Sequence, residues 1–240
     1  MRSASLIALL ALAACSPAKD REPGVAATGG GTARIYEVAG FTGVALRGSD
    51  DVDVRVGSGF SVRAEGPAAE LDTLRIVRDG DVLRIGRKAS FVFEWGETAH
   101  VKIFVTMPRI TTADLTGTGD LAIDRVEGER LRVTSKGSGD IAIGALSVES
   151  ADLSLSGTGT LTAKGSAHQL KIDLSGSGDV DAPELKAARA TVSVAGTGDV
   201  HASVDGPAQV SVTGTGDVDL GPGARCTTSN TGTGEVRCGG

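Results

Sequence analysis

From Thr111 onward apolar and polar residues alternate with period two, and a glycine-rich tetrapeptide interrupts the alternation at near-constant intervals. It reads GTGD at Gly117, GSGD at Gly137, GTGT at Gly157, GSGD at Gly176, GTGD at Gly196, GTGD at Gly214 and GTGE at Gly232, with spacings of 20, 20, 19, 20, 18 and 18. Two residues before each turn stand Leu115, Ser135, Leu155, Leu174, Val194, Val212 and Asn230; four after its first glycine stand Leu121, Ile141, Leu161, Val180, Val200, Val218 and Val236. Period two predicts strands with one buried and one wet face. Looser breakers (Gly128, Gly165, Pro183, Gly206-Pro207 and Gly221-Pro222-Gly223) lie about midway between turns. Each repeat thus reads as strand, tight turn, strand, looser turn.

Self-similarity at a short fixed period signals a solenoid or an array. An antiparallel meander would leave a very broad apolar face uncovered, and no segment of this half reads as a covering helix. A β-solenoid buries that face inside its own coil and stacks equivalent positions about 4.8 Å apart. The expected fold is therefore all-β, a β-solenoid of about 20-residue coils, right-handed if it follows the usual β-helix. In the G-x-G-D corners both glycines are expected to take positive φ, with the acid tying the corner through backbone N–H groups.

Before Thr111 the alternation is looser: Val52, Val54 and Val56; Leu74 and Ile76; Leu83 and Ile85; Val101, Ile103 and Val105. These predict irregular early coils over 34–110 that lead into the regular solenoid of 111–240. Asp81 stands 39 residues before Asp120, which suggests a corner two coils earlier.

The blocks "VAGFTGVALRGSDDVDVRVGSG", "LRIVRDGDVLRIGRK" and "VKIFVTMPRITTADLTGTGD", followed by the train of GSGD units, together resemble the bacterial head GIN domain family, known as putative auto-transporter adhesins. The resemblance covers about Ile35 to Val236. It implies stacked β-helix-like coils and a secreted or lipid-anchored protein, and it supplies no catalytic residues.

The N-terminus changes the picture of where the chain works. Arg2, the short apolar run Leu6–Ala14 and the ending "LAAC" at Cys15 have the form of a lipoprotein signal peptide, 1–15, with Cys15 as the lipidated residue. Residues 16–33 are Pro-, Gly- and Ala-rich without periodicity and read as a tether. The expected location is the cell envelope, exported and held to the membrane by lipid. In that oxidising compartment Cys226 and Cys238 form a natural pair. They lie six residues before and after the last turn's Gly232, and a bond there would clasp a final coil weakened by Thr228 and Asn230.

Charge then removes some functions. The 240-residue chain carries a net charge of −6, and the half from Thr111 holds 10 basic and 17 acidic residues. An acidic repeat repels phosphate, so nucleic acid is not expected as a partner. No Phe, Trp or Tyr occurs from Thr111 to Gly240, which excludes a membrane barrel with aromatic girdles.

The acids Asp120, Asp140, Asp179, Asp199, Asp217 and Glu235 should stack along one edge, a conceivable calcium ladder. Against it, the period is not nine, Thr160 breaks the row, and exposed carboxylates one rung apart repel by only about 0.9 kcal/mol. His100, His168 and His201 are scattered, and no paired acids sit in a sugar-binding groove with an aromatic platform. We expect no metal, no cofactor and no enzymatic activity. Phe91, Phe93 and Trp95 form the one aromatic cluster, readable as an interaction patch or as a plug for the open end of the solenoid. The function expected is a polar surface for binding or adhesion, with an envelope protein or glycan as ligand. The rival is an envelope-maintenance protein without a ligand.

Overall fold

A computed structural model describes residues 24–88 and 100–239. The elements are β1 (Ala27–Thr28), β2 (Ala33–Tyr36), β3 (Gly43–Gly48), β4 (Asp51–Val56), β5 (Ser61–Glu65), α1 (Ala68–Thr73), β6 (Leu74–Asp79), β7 (Val82–Arg87), β8 (Lys102–Met107), β9 (Thr112–Gly117), β10 (Leu121–Ile123), β11 (Val126–Gly137), β12 (Ile141–Gly157), β13 (Thr160–Gly176), β14 (Asp179–Gly196), β15 (Val200–Val204), β16 (Gly206–Gly214), β17 (Val218–Asp219), β18 (Ala224–Gly232) and β19 (Val236–Arg237). From β9 onward the pairing is parallel, rung on rung, as a β-solenoid of about six turns.

Each full coil has three straight runs, not the two read from the sequence. In β12 the buried positions are Ile141 and Ile143, then Leu146 and Val148, then Ala151, Leu153 and Leu155. Between these runs the alternation slips by one residue, at Gly144-Ala145 and at Glu149-Ser150. A slip turns the apolar set back toward the interior after the chain bends, so an extended chain makes two corners without a tight turn. The third corner is G-x-G-D. Differences in coil length are absorbed mainly at the first bend, where the ladder shifts register between Ile143 and Leu146, Thr162 and Gly165, and Ala182 and Lys186, with one further residue taken up at the second bend between the Ala187–Val204 and Ala190–Ala208 pairs. The tight corner and the run before it therefore stay in step throughout.

At the Gly196 corner only the first glycine takes positive φ, which corrects the expectation that both do, while both stand too close to the rung below for a Cβ, the one at Gly196 falling 2.9 Å from the Gly176 carbonyl carbon. Gly196 has φ 147°, a conformation L side chains avoid. Gly198 has no positive φ, but a Cβ there would stand 2.8 Å from the carbonyl carbon of Gly178 and closer still to its oxygen. The second glycine is there because the rungs approach too closely for any side chain.

The N-terminal part is not a run of early coils in chain order. The strand before the corner stacks as β6–β7–β3–β9–β11, and the strand after it as β1–β2–β5–β8–β4–β10. Thus β3 and β4 form a rung whose lower neighbour, β7 with β8, and upper neighbour, β9 with β10, both come later in the chain. The lower ends of both stacks become antiparallel (β6–β7, and β8–β5–β2–β1), and α1 connects β5 to β6. Asp81 lies in the β6–β7 hairpin beside Gly80 (φ 64°) rather than at a solenoid corner. The corner of that rung is Gly48-Ser49-Asp50-Asp51, with Gly48 opposite Gly117. The ordered fold reaches back to Val25, whose N–H donates to the Ile76 carbonyl (2.8 Å), inside the stretch expected as tether.

One continuous apolar core runs from Tyr36 and Phe41 at the antiparallel end to Leu220 and Ala224. Its columns are in register: Leu121, Ile141, Leu161, Val180, Val200 and Val218 stack without a break. The column of Leu115, Leu155, Leu174, Val194 and Val212, which ends in the exposed Asn230, has one buried polar member. Ser135 sits between Leu115 and Leu155, 1% exposed, and its hydroxyl has no hydrogen-bond partner.

Candidate functional site

The acids of the tight corners do stack, but they are bonded along the axis rather than within the corner. Each carboxylate oxygen accepts the backbone N–H one rung on: Asp51 from Asp120 (3.2 Å), Asp120 from Asp140 (3.0 Å), Asp140 from Thr160 (2.7 Å), Asp179 from Asp199 (2.8 Å), Asp199 from Asp217 (2.8 Å) and Asp217 from Glu235 (2.7 Å). At Thr160 the row skips a member, and the Asp179 N–H turns to the Gly159 carbonyl at 3.3 Å. The hydroxyls beside them repeat the device, with Thr158 donating to Ser138 (3.0 Å) and Thr197 to Ser177 (2.9 Å). A carboxylate satisfied by a backbone N–H is a structural staple. Among the described residues no three His, Cys, Asp or Glu gather as metal ligands.

The corner at Asp50 is different. Asp50 takes the place of the second glycine and is fully buried. Arg87 grips it with two bonds, Nε to Oδ2 (2.9 Å) and an η-nitrogen to Oδ1 (2.6 Å), and also pairs with Glu70. The Val101 N–H adds a third bond to Asp50, at 3.1 Å. The hydrogen bond to Asp50, with Glu70 behind it, holds the Arg87 guanidinium above its already high usual range. In the sequence this cluster is marked only by Asp50, which breaks the G-x-G pattern. Asp50 thus ties the first regular corner to the end of β7 through Arg87 and to the residue before β8 through the Val101 N–H.

Cys226 and Cys238 are joined, with Cα atoms 6.2 Å apart across the last corner. His100, His168 and His201 are all exposed. Cys15, Phe91, Phe93 and Trp95 lie outside the described residues. Among the described residues the large exposed apolar side chains are Ile35 and Phe60, near the antiparallel end, where Phe60 packs edge-on against buried Phe41 (4.9 Å).

The outer face of the run before the tight corner is continuous from rung to rung. Its central column is Thr134, Ser154, Asp173, Ser193, Ser211 and Ser229, every pair in register. Toward the bend that opens this run lies a groove of about 540 Å³, floored by Leu170, Ala190 and Ala208. Its walls are the residues seven and five positions before each corner's first glycine. Counting back from the glycines would have revealed these columns in the sequence. The apolar alternation alone marks only the inward positions, so it does not single out these outward columns.

A family model described as "Putative auto-transporter adhesin, head GIN domain" matches residues 40–221, and the chain belongs to that family. Among solved structures it is similar to a putative adhesin from Bacteroides fragilis, with TM-score 0.78 and 18% identity over 86% of this chain and 95% of that one. It is also similar to a putative lipid binding protein from Parabacteroides distasonis, with TM-score 0.73 and 17% identity over 86% and 95% of the two chains. A putative adhesin from the same organism gives TM-score 0.68 and 17% identity over 86% and 96%. No curated protein matches the chain.

Proposed function

We propose that this head GIN domain chain is exported, anchored to a membrane through lipid on Cys15, and works as a non-enzymatic binding or adhesion module of the cell envelope. The observation that carries the reading is the outer face before the tight corners. It is a long, register-locked sheet of Ser, Thr, Asp and Gln side chains, not used to hold the core. A rigid parallel ladder keeps such side chains at fixed spacing, so a repetitive ligand meets little ordering cost on the protein side. The family's description as adhesins and the similar putative adhesins support the same reading.

The structural rival has its own support, because the corner acids and hydroxyls are consumed in rung-to-rung bonds. Two variants separate them. Cys15→Ser should move the protein from membrane to soluble exported fraction, and retention in the membrane would overturn the anchor. Ser193→Glu with Ser211→Glu alters the face without touching the core. Loss of cell or surface adhesion with an unchanged melting curve supports binding. Unchanged adhesion together with an envelope defect in the deletion strain supports the structural reading.

A further inference from the structure

Cations and acids are distributed unequally over the solenoid. Of the 10 basic residues from Thr111 onward, Arg130, Lys171, Arg189 and Arg225 line the one groove, against only Asp152 of the 17 acids. Arg130, Ser150, Gln169 and Arg189 stack in register on one wall. With Ala190 opposite Ala208, the wall continues through Pro207 to Arg225. The other wall holds Asp152, Lys171, Thr191, Gln209 and Thr227, again in register. Lys171 pairs with Asp173 (2.6 Å) and Asp152 with Arg132 (3.6 Å). Among the described residues no acid lies within ion-pair distance of Arg130, Arg189 or Arg225; Arg189 instead meets the exposed His168 ring at 3.4 Å.

We propose that this groove binds an extended acidic polysaccharide laid along the solenoid axis, a reading that rests on the binding role proposed above. From Arg130 to Arg225 the wall spans five rung steps, about 24 Å, with arginines about 14 Å and then about 10 Å apart. One rung is close to the advance of one pyranose in an extended chain, so the arginines meet carboxylates two or three sugars apart. The amides and hydroxyls between them, Gln169, Gln209, Thr191 and Thr227, match sugar hydroxyls by direct exchange of hydrogen bonds. A planar guanidinium takes a carboxylate with two parallel bonds. A nucleic acid strand fits less well. Its bases would find no aromatic side chain to stack on among the residues that line this groove, whereas a uronate needs none.

The test is calorimetry of the exported full chain with oligogalacturonates of two to eight residues, neutral cello-oligosaccharides of the same lengths, and oligo(dT) of matched charge. Affinity for the uronates should rise with length and level off at about six residues, the number of rungs spanned. Arg189→Gln with Arg225→Gln should weaken the hexamer by about tenfold or more, while Lys164→Gln, outside the groove, leaves it unchanged. Three results would overturn the inference: no saturable uronate binding, binding insensitive to the arginine pair, or tighter oligo(dT) binding lost in the same variants. The adhesion assay with the Ser193 and Ser211 variants reads the broader role separately, so the glycan can fail while that role survives.

Discussion

Ser135 offers the sharpest test of how the core is built. Its hydroxyl is 1% exposed, has no partner, and lies in a column whose neighbours one rung away are Leu115 and Leu155. In the unfolded chain that hydroxyl is hydrated; in the fold it is not, a desolvation worth about 1–3 kcal/mol. Alanine removes the polar atom at almost the same volume. Ser135→Ala should therefore stabilise the protein by about 1–2 kcal/mol, net of the contacts the oxygen makes as a packing atom. For a chain of this size that corresponds to a rise in Tm of about 2–8 °C. The assay is urea unfolding followed by circular dichroism, comparing midpoints at unchanged slope. Ser135→Val should gain further, since one or two added methyl groups are worth about 0.8 kcal/mol each when they fill space rather than strain it. A loss of 1 kcal/mol or more on Ser135→Ala would refute the reasoning, because it would mean the hydroxyl is satisfied.

Three further outcomes follow from the corners. Gly198→Ala should cost at least about 1–3 kcal/mol by forcing rungs apart, whereas Asp199→Asn keeps an acceptor for the Asp217 N–H and should cost under about 1 kcal/mol; equal losses in the same melts would contradict the close-approach argument. Asp50→Asn should destabilise by somewhat less than the about 3–5 kcal/mol of a fully broken buried pair, since Glu70 still holds Arg87, and a neutral result in urea unfolding would show the cluster to be dispensable. Opening the disulfide with Cys238→Ala should release about 3 kcal/mol of local constraint, seen as faster hydrogen exchange over 224–239 with the rungs at Leu153 and Leu174 unchanged; a uniform increase along the chain would argue against independent rungs.

The tight corners, the apolar columns and the closing disulfide were legible because each depends on residues within one repeat. Leu121, Ile141 and Leu161 align at a glance once the glycines are superposed. The two softer bends were not, because an extended chain turns there through a phase slip at ordinary residues such as Ala145 and Glu149. The order of the first rungs was hidden for another reason. The pairing of Gly48 with Gly117 spans 69 residues, and Asp50 disguises the corner that would have announced it. Nor does composition reveal the groove: a chain of net charge −6 gathers four cations there only after folding brings every coil to the same register.

The position of the β3–β4 rung has a consequence for how the molecule is made. Its two neighbours in the stack, β7–β8 and β9–β10, are both synthesised after it. A chain emerging N-terminus first therefore displays this rung with both edges bare until β7 and β8 follow, and with its upper edge bare until residue 123 is available. From there each coil adds to a finished surface, one loop closure of about 20 residues at a time, which is entropically mild. Assembly is thus slow at its beginning and processive afterwards. Duplicating or deleting whole coils beyond β10 would change the length of the solenoid without disturbing the long-range pairings on which it is founded.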